Sequence, residues 1–149
     1  MQVASIGSGS KGNATLLRSE DTCLMIDCGF SLAQFTKRIQ RLQIDPADID
    51  AILVTHEHSD HAGGVCRIAE HFRIPLYMTV GTGNALSYAG YRVINGGQQL
   101  QFGDLGVEVV TVPHDAAEPV QFVFTDQNNG RRLAVLTDSG HISEHTLQM

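Results

Sequence analysis

Apolar positions in the first third of the chain come in short runs closed by glycine or polar residues. QVASIGSG, ATLLRS and TCLMIDCG each fit a β-strand of about five to seven residues. The period then changes. In SLAQFTKRIQRLQ the apolar residues Leu32, Phe35, Ile39 and Leu42 are spaced three, four and three apart, and Ser31 stands where a helix cap belongs, so an amphipathic helix is predicted. DPADIDAILVTH reads as a turn feeding a buried strand, Ala51–Thr55. GGVCRIAEHF returns to helical spacing through Val65, Ile68, Ala69 and Phe72 and stops before Ile74-Pro75. PLYMTV is a further strand, followed by a short helical stretch around Asn84–Tyr88. This alternation predicts parallel strands joined by right-handed crossovers. From Val93 onward the texture is of strands only: QQLQFG, VEVVTVPHD, VQFVFTD and RRLAVLTD, the last two joined by QNNG into a hairpin.

Composition narrows the picture. A chain of 149 residues, 42% hydrophobic and 17% charged, is enough for one domain spanning 1–149 with its own core. No apolar run approaches the roughly 18 residues of a membrane span, and MQVASIGSGS has no basic start followed by an apolar segment, so a cytoplasmic protein without a membrane partner is expected. The net charge of −6 argues against a broad electrostatic grip on nucleic acid, while leaving room for a local basic face. Cys23, Cys28 and Cys66 are odd in number and lack CxxC spacing, which points to reduced, buried thiols.

The candidate chemistry is concentrated in HEHSDH, residues 56–61, which holds three of the seven histidines directly after a predicted strand. Imidazole nitrogen and carboxylate oxygen suit zinc and similar ions, and a catalytic site pairs about three protein ligands with an open position. In an extended segment leaving the strand, His56 and His58 point the same way and converge on one ion, while Asp60 and His61 turn toward a second. His114, in TVPHD at the end of another β-rich run, is the candidate third nitrogen for the first ion, or else a loop residue satisfied by its surroundings. Asp138 in TDSG is the candidate bridging carboxylate. Asp27 in MIDCG suits a supporting role, orienting a ligating histidine through a hydrogen bond; alone, either aspartate also reads as a turn cap. Glu57 should point away from the ligands, either into solvent or toward a supporting contact behind them. The loop SGSKGN offers Ser8, Ser10, Lys11 and Asn13 as a phosphate cradle, or is a plain hairpin turn.

THEHSDH, with IDCG before it and VPH and TDSG after it, resembles the metallo-β-lactamase fold superfamily over essentially the whole chain. More narrowly, SIGSGSKGNATLL and VPHDAAEPVQFVF resemble the YycJ (WalJ, VicX) group of bacterial members. The resemblance implies an α/β (α+β) chain folded as an αββα sandwich, here its N-terminal half and the start of the second sheet. It also implies a dinuclear site in which His56, His58 and His114 hold one ion, Asp60 and His61 the other, and Asp138 bridges. The ions are expected to be zinc, with manganese or iron as alternatives.

The activity implied is that of a metal-dependent hydrolase, a phosphodiesterase or exonuclease-like nuclease attacking with a metal-bridged hydroxide that Asp60 orients. Nucleic acid or another phosphodiester is the expected substrate. The alternatives are hydrolysis of a small thioester, lactone or cyclic phosphodiester, or a metal-binding regulatory module without turnover. Family members bring a last histidine to the second ion from the C-terminal half. His141 and His145 do not fall in that position, so a truncated product is expected, together with homo-oligomers formed through uncovered strand edges.

Overall fold

Three antiparallel strands open the structure: β1 (Gln2–Gly7), β2 (Ala14–Arg18) and β3 (Cys23–Ile26). In this computed structural model the described residues are 1–137. The chain then crosses over through helix α1 (Leu32–Arg41) to β4 (Ala51–Leu53), which lies parallel to β3. Ser31 and Gln34 close a capping box at the start of α1, satisfying two backbone donors that the first turn leaves over. After α2 (Ser59–Ala62) and α3 (Val65–Phe72), β5 (Leu76–Met78) adds in parallel to β4. After α4 (Val80–Ala85), β6 (Arg92–Val93) adds to β5, completing a sheet of order β1-β2-β3-β4-β5-β6. A second, antiparallel sheet follows, with β7 (Gln99–Phe102), β8 (Leu105–Thr111), β9 (Val120–Asp126) and β10 (Arg132–Val135) in the order β10-β9-β8-β7.

Side-chain alternation along the central strands sorts the core into two layers. On one face of the first sheet Leu16, Met25, Ile52 and Val54 pack against Phe35 and Ile39 of α1 and Val65 and Ile68 of α3. On the other face Leu17, Leu24, Ile26 and Leu53 meet Val107, Val109, Phe122 and Phe124 of the second sheet. Each of these two phenylalanines is wholly buried, which stabilises the packed sheets by about 2–3 kcal/mol apiece. The result is a helix–sheet–sheet layering, the arrangement that the resemblance implies for this part of an αββα sandwich. No helix among the described residues is long and apolar enough to cross a membrane.

Two elements differ from the sequence expectation. HEHSDH is extended only through His58; at Ser59 it turns into α2, so Asp60 and His61 are helical. A helix of four residues is too short to leave a periodic signal. The helical stretch expected around Asn84–Tyr88 lies earlier, at Val80–Ala85, started by the Thr79 hydroxyl accepting from the Thr82 N–H. Its glycines hide it in the sequence. Gly83 is required by packing, because a Cβ there would stand 2.2 Å from the Tyr91 ring. All three cysteines are free, with Cys23 and Cys28 buried, and burial pushes the Cys28 thiol up to about 12.

Candidate metal centre

The parallel strands deliver their C-terminal ends to one rim of the sandwich, and the candidate residues gather there. Asp27 follows β3, His56 and His58 follow β4, and His114 lies on the connection between β8 and β9. The ligand atoms of His56, His58 and His114 all lie within 4.8 Å of one another. His58 Nδ1 is 3.4 Å from His114 Nε2, and the His56 ring centroid is 4.7 Å from that of His58 and 4.8 Å from that of His114. His61 also stands against His56, its ring centroid 4.4 Å away.

Proton positions in this cluster follow from Asp27. Its backbone takes a left-handed φ of 57°, a conformation that aspartate tolerates better than most residues, and its side chain is buried. As an ionised carboxylate it only accepts. Its Oδ1 accepts from the Thr55 N–H at 2.8 Å, and its Oδ2 from the Thr55 hydroxyl at 2.7 Å and from His61 Nδ1 at 2.8 Å. The Thr55 hydroxyl has thereby spent its hydrogen, so it must accept from His56 Nδ1, 2.9 Å away. One carboxylate thus fixes two imidazoles as Nδ1–H tautomers, with the lone pair of each on Nε2.

The donor set fits a divalent metal ion. Burial, together with the neighbouring His61, His114 and His58, holds His56 well below the usual histidine range, at about 4, although Asp27 pulls the other way. Its imidazole is therefore neutral at physiological pH, as a metal ligand must be.

Asp60 and His61 are held by Asn13. The Asn13 N–H donates to the Asp60 carbonyl at 2.7 Å, and its Nδ2 lies 3.1 Å from both Asp60 Oδ2 and His61 Nε2. Because α2 sits tightly on the segment after β3, a Cβ on Gly29 would fall 2.1 Å from the Asp60 carbonyl oxygen. Asp60 itself stays 28% exposed, with Oδ2 3.5 Å from His61 Nε2, so it can meet both an ion and a substrate.

The structure therefore brings together His56, His58, His114, His61, Asp60 and Asp27. Asp138 lies outside the described residues, as do His141 and His145. Of the proposed cradle, Ser8, Ser10 and Lys11 are exposed at the tip of the β1–β2 hairpin, closed by Gly12 N–H to the Gly9 carbonyl, while Asn13 alone reaches the centre. One participant, Thr55, was not singled out in the sequence, and Glu57, expected to point away from the ligands, has a partner that the sequence did not name. Thr55 relays Asp27 to His56, and Glu57 binds the loop carrying His114 by accepting from the Ala117 N–H at 2.8 Å. A hydroxyl directly before the first histidine was the available signal for Thr55; nothing local marked the partner of Glu57.

Comparison with known proteins bears on the whole arrangement. The sequence pattern of the metallo-beta-lactamase superfamily matches residues 7–143. The exodeoxyribonuclease YycJ of Bacillus anthracis is 34% identical over 146 residues, covering 93% of this chain and 54% of that protein. The exodeoxyribonuclease WalJ of Streptococcus pneumoniae is 32% identical over 148 residues, with the same two coverages, 93% and 54%. A hydroxyacylglutathione hydrolase of Yersinia enterocolitica is 32% identical over 124 residues, 82% of this chain and 47% of that one. The chain thus spans about half the length of the relatives it matches. Among solved structures, MEM-A1, a subclass B3 metallo-beta-lactamase from a soil metagenome library, superposes with a TM-score of 0.72 at 23% identity, over 89% of this chain and 58% of that one. A Cronobacter sakazakii metallo-beta-lactamase gives 0.76 at 20% identity, over 89% and 54%. At those identities the likeness is one of fold.

Proposed function

This chain belongs to the metallo-beta-lactamase superfamily, and on that premise we propose that it is the metal-binding part of a hydrolase that cleaves phosphodiester bonds in DNA in the manner of an exonuclease. The observation that carries the reading is the convergence of three imidazoles within 4.8 Å beside Asp60 and His61, in a chain whose similarity to two exodeoxyribonucleases runs along 93% of its length.

His56, His58 and His114 would hold one divalent ion, and Asp60 and His61, with Asp138, a second. Three nitrogens favour zinc at the first position; the carboxylate-rich second suits manganese or iron as well. Two such ions, when bound, supply an acidified water at neutral pH and take up charge on phosphoryl oxygens.

The remaining work falls to the chain's own side chains. Asp27 keeps His56 and His61 in ligand tautomers. Asp60, partly exposed and steadied by Asn13, accepts a hydrogen bond from the attacking water and so orients it toward phosphorus. Lys11, exposed at the tip of the hairpin whose base Asn13 ties to Asp60, offers a cation to the phosphates flanking the scissile bond.

A second reading is hydrolysis of a small thioester, favoured by the likeness to hydroxyacylglutathione hydrolase. Metal-loaded protein assayed against bis-nitrophenyl phosphate, single- and double-stranded DNA, RNA and an acyl-glutathione thioester separates the two. DNA should be shortened from an end, with activity falling steeply as salt rises and abolished by Asp60→Ala. Turnover of the thioester with DNA left intact would overturn the nuclease reading.

A further inference from the structure

The third histidine of the cluster, His114, arrives on a connection that belongs to no strand or helix. Residues 112–119 leave β8 and return into β9. Val112 N–H donates to the Pro119 carbonyl at 3.3 Å across the base of this loop, and Ala116 N–H to the His114 carbonyl at 2.9 Å within it. Two glutamates fasten it to the first sheet. The Glu118 carboxylate accepts from the Gly81 N–H at 2.8 Å and its carbonyl from the Thr79 hydroxyl at 2.9 Å, which ties the far end of the loop to the start of α4. Glu57 Oε1 accepts from the N–H of the preceding residue, Ala117, at 2.8 Å, which ties the same part of the loop, three residues beyond His114, to the HEHSDH segment itself.

Glu57 stands between His56 and His58 in the sequence. In the extended segment before α2, neighbouring side chains point to opposite sides. The backbone that aims two imidazoles into the cluster therefore aims the intervening carboxylate at the loop that brings the third. Glu57 Oε2 is buried without a hydrogen-bond partner among the described residues. Keeping one carboxylate oxygen away from water is costly, so this side chain is poorly explained as a solvated surface acid.

We propose that Glu57 is a positioning residue for the metal centre: its hydrogen bond to the Ala117 N–H holds the His114 loop at the distance from which His114 completes the three-imidazole site. The inference rests on those three side chains holding an ion. It assigns to the residue between the two histidines of HEH a mechanical task that neither ligation nor charge supplies.

Reach and charge are separable by substitution. Glu57→Gln removes the charge and keeps an acceptor oxygen at the same reach, whereas Glu57→Asp keeps the charge and withdraws the oxygen by one methylene. Binding of Zn²⁺, by competition with a chromophoric chelator, and the ligand-field absorption of bound Co²⁺ are measured on both variants, on Glu57→Ala and on His114→Ala. Circular dichroism checks that each is folded.

If Glu57 is the latch, Glu57→Gln binds Zn²⁺ as the unaltered protein does. Glu57→Asp and Glu57→Ala bind ~10-fold more weakly or worse, the size typical of lost outer partners of ligands. Their Co²⁺ bands move toward those of His114→Ala. The reverse order, with Glu57→Asp intact and Glu57→Gln weak, would show that charge rather than reach matters and would overturn the proposal. So would unaltered affinity in Glu57→Ala. If His114→Ala itself binds Zn²⁺ normally, the three-imidazole reading fails, and that result is distinguishable from failure of the latch alone. None of these readouts requires turnover of DNA.

Discussion

Replacing Asp27 tests the wiring of the centre, because three buried donors depend on its two oxygens. In Asp27→Ala the Thr55 N–H, the Thr55 hydroxyl and His61 Nδ1 all lose their acceptor at sites closed to water. Each stranded buried donor costs about 1–3 kcal/mol, and a left-handed φ of 57° adds about 1–2 kcal/mol for a residue without a short polar side chain. The losses do not simply add, since the Thr55 hydroxyl can swing toward His56 and the two Thr55 groups share one carboxylate. A net loss of about 4–5 kcal/mol is expected, comparable to breaking a buried ion pair. Against a typical total of about 5–15 kcal/mol this brings the protein close to unfolding.

Asp27→Asn is the more informative variant. It keeps the volume, suits the left-handed backbone and retains an oxygen for the Thr55 N–H. At the Oδ2 position, however, it presents an NH₂ to His61 Nδ1–H, a donor against a donor. At this contact the conflict is relieved if His61 moves its proton to Nε2, which turns the Asn13 amide, 3.1 Å from that nitrogen, away toward Asp60. Thr55 must then accept from the new amide and turn its hydrogen toward His56, which moves that proton to Nε2 as well. The expected result is a folded protein, about 2–3 kcal/mol less stable, whose His56 and His61 both carry the proton on Nε2 and bind zinc poorly. Urea unfolding followed by circular dichroism gives the stability difference, imidazole ¹⁵N shifts report the tautomers, and chelator competition gives the affinity. An Asp27→Asn protein with both imidazoles still protonated on Nδ1 and with unaltered zinc binding would refute the relay.

Acidification of metal-free protein should expose the burial of His56. Its folded pKa of about 4 lies below the ordinary 6.5, so between these values the unfolded chain binds a proton that the folded chain refuses. Stability contributed by the neutral imidazole is complete above about pH 6.5 and is lost as pH falls toward 4, a trend that urea midpoints at stepped pH will read; His56→Gln should flatten that part of the profile, and an unchanged slope would show that His56 is not the group responsible. Gly29→Ala drives a methyl group into the Asp60 carbonyl and should cost about 1–3 kcal/mol or more while displacing α2. A thermal midpoint within a degree of the unaltered protein would mean that the contact relaxes freely.

The contiguous part of the site was legible in the sequence because contiguity is what made it visible. Three histidines and an aspartate between residues 56 and 61, directly after a strand, need no knowledge of topology to be read as ligands. The strands and both longer helices were legible for a similar reason, since their periods repeat often enough to be counted. What escaped were relations between distant positions. Asn13 meets Asp60 across 47 residues, and Asp27, expected to orient some ligating histidine, meets His61 in particular across 34. Glu57 meets Ala117 across 60. Each depends on which strands lie side by side and how a loop is hung, and that is decided by burial of the two sheet faces, far from the site.

Thr55 belongs to neither group and shows what a closer local reading can gain. At the end of a buried strand a β-branched residue is expected on propensity alone, and valine would satisfy it. Only threonine combines that shape with a hydroxyl that donates and accepts at once. Beside an acceptor-only carboxylate such a hydroxyl carries the direction of hydrogen bonding one residue further, so Asp27 commands His61 by contact and His56 through Thr55. A single carboxylate in the left-handed turn after β3 thereby sets the protonation of two imidazoles of the cluster. The order of strands β3 and β4 is then a requirement of the chemistry, because only neighbouring parallel strands release Asp27 and Thr55 at the same level of the rim.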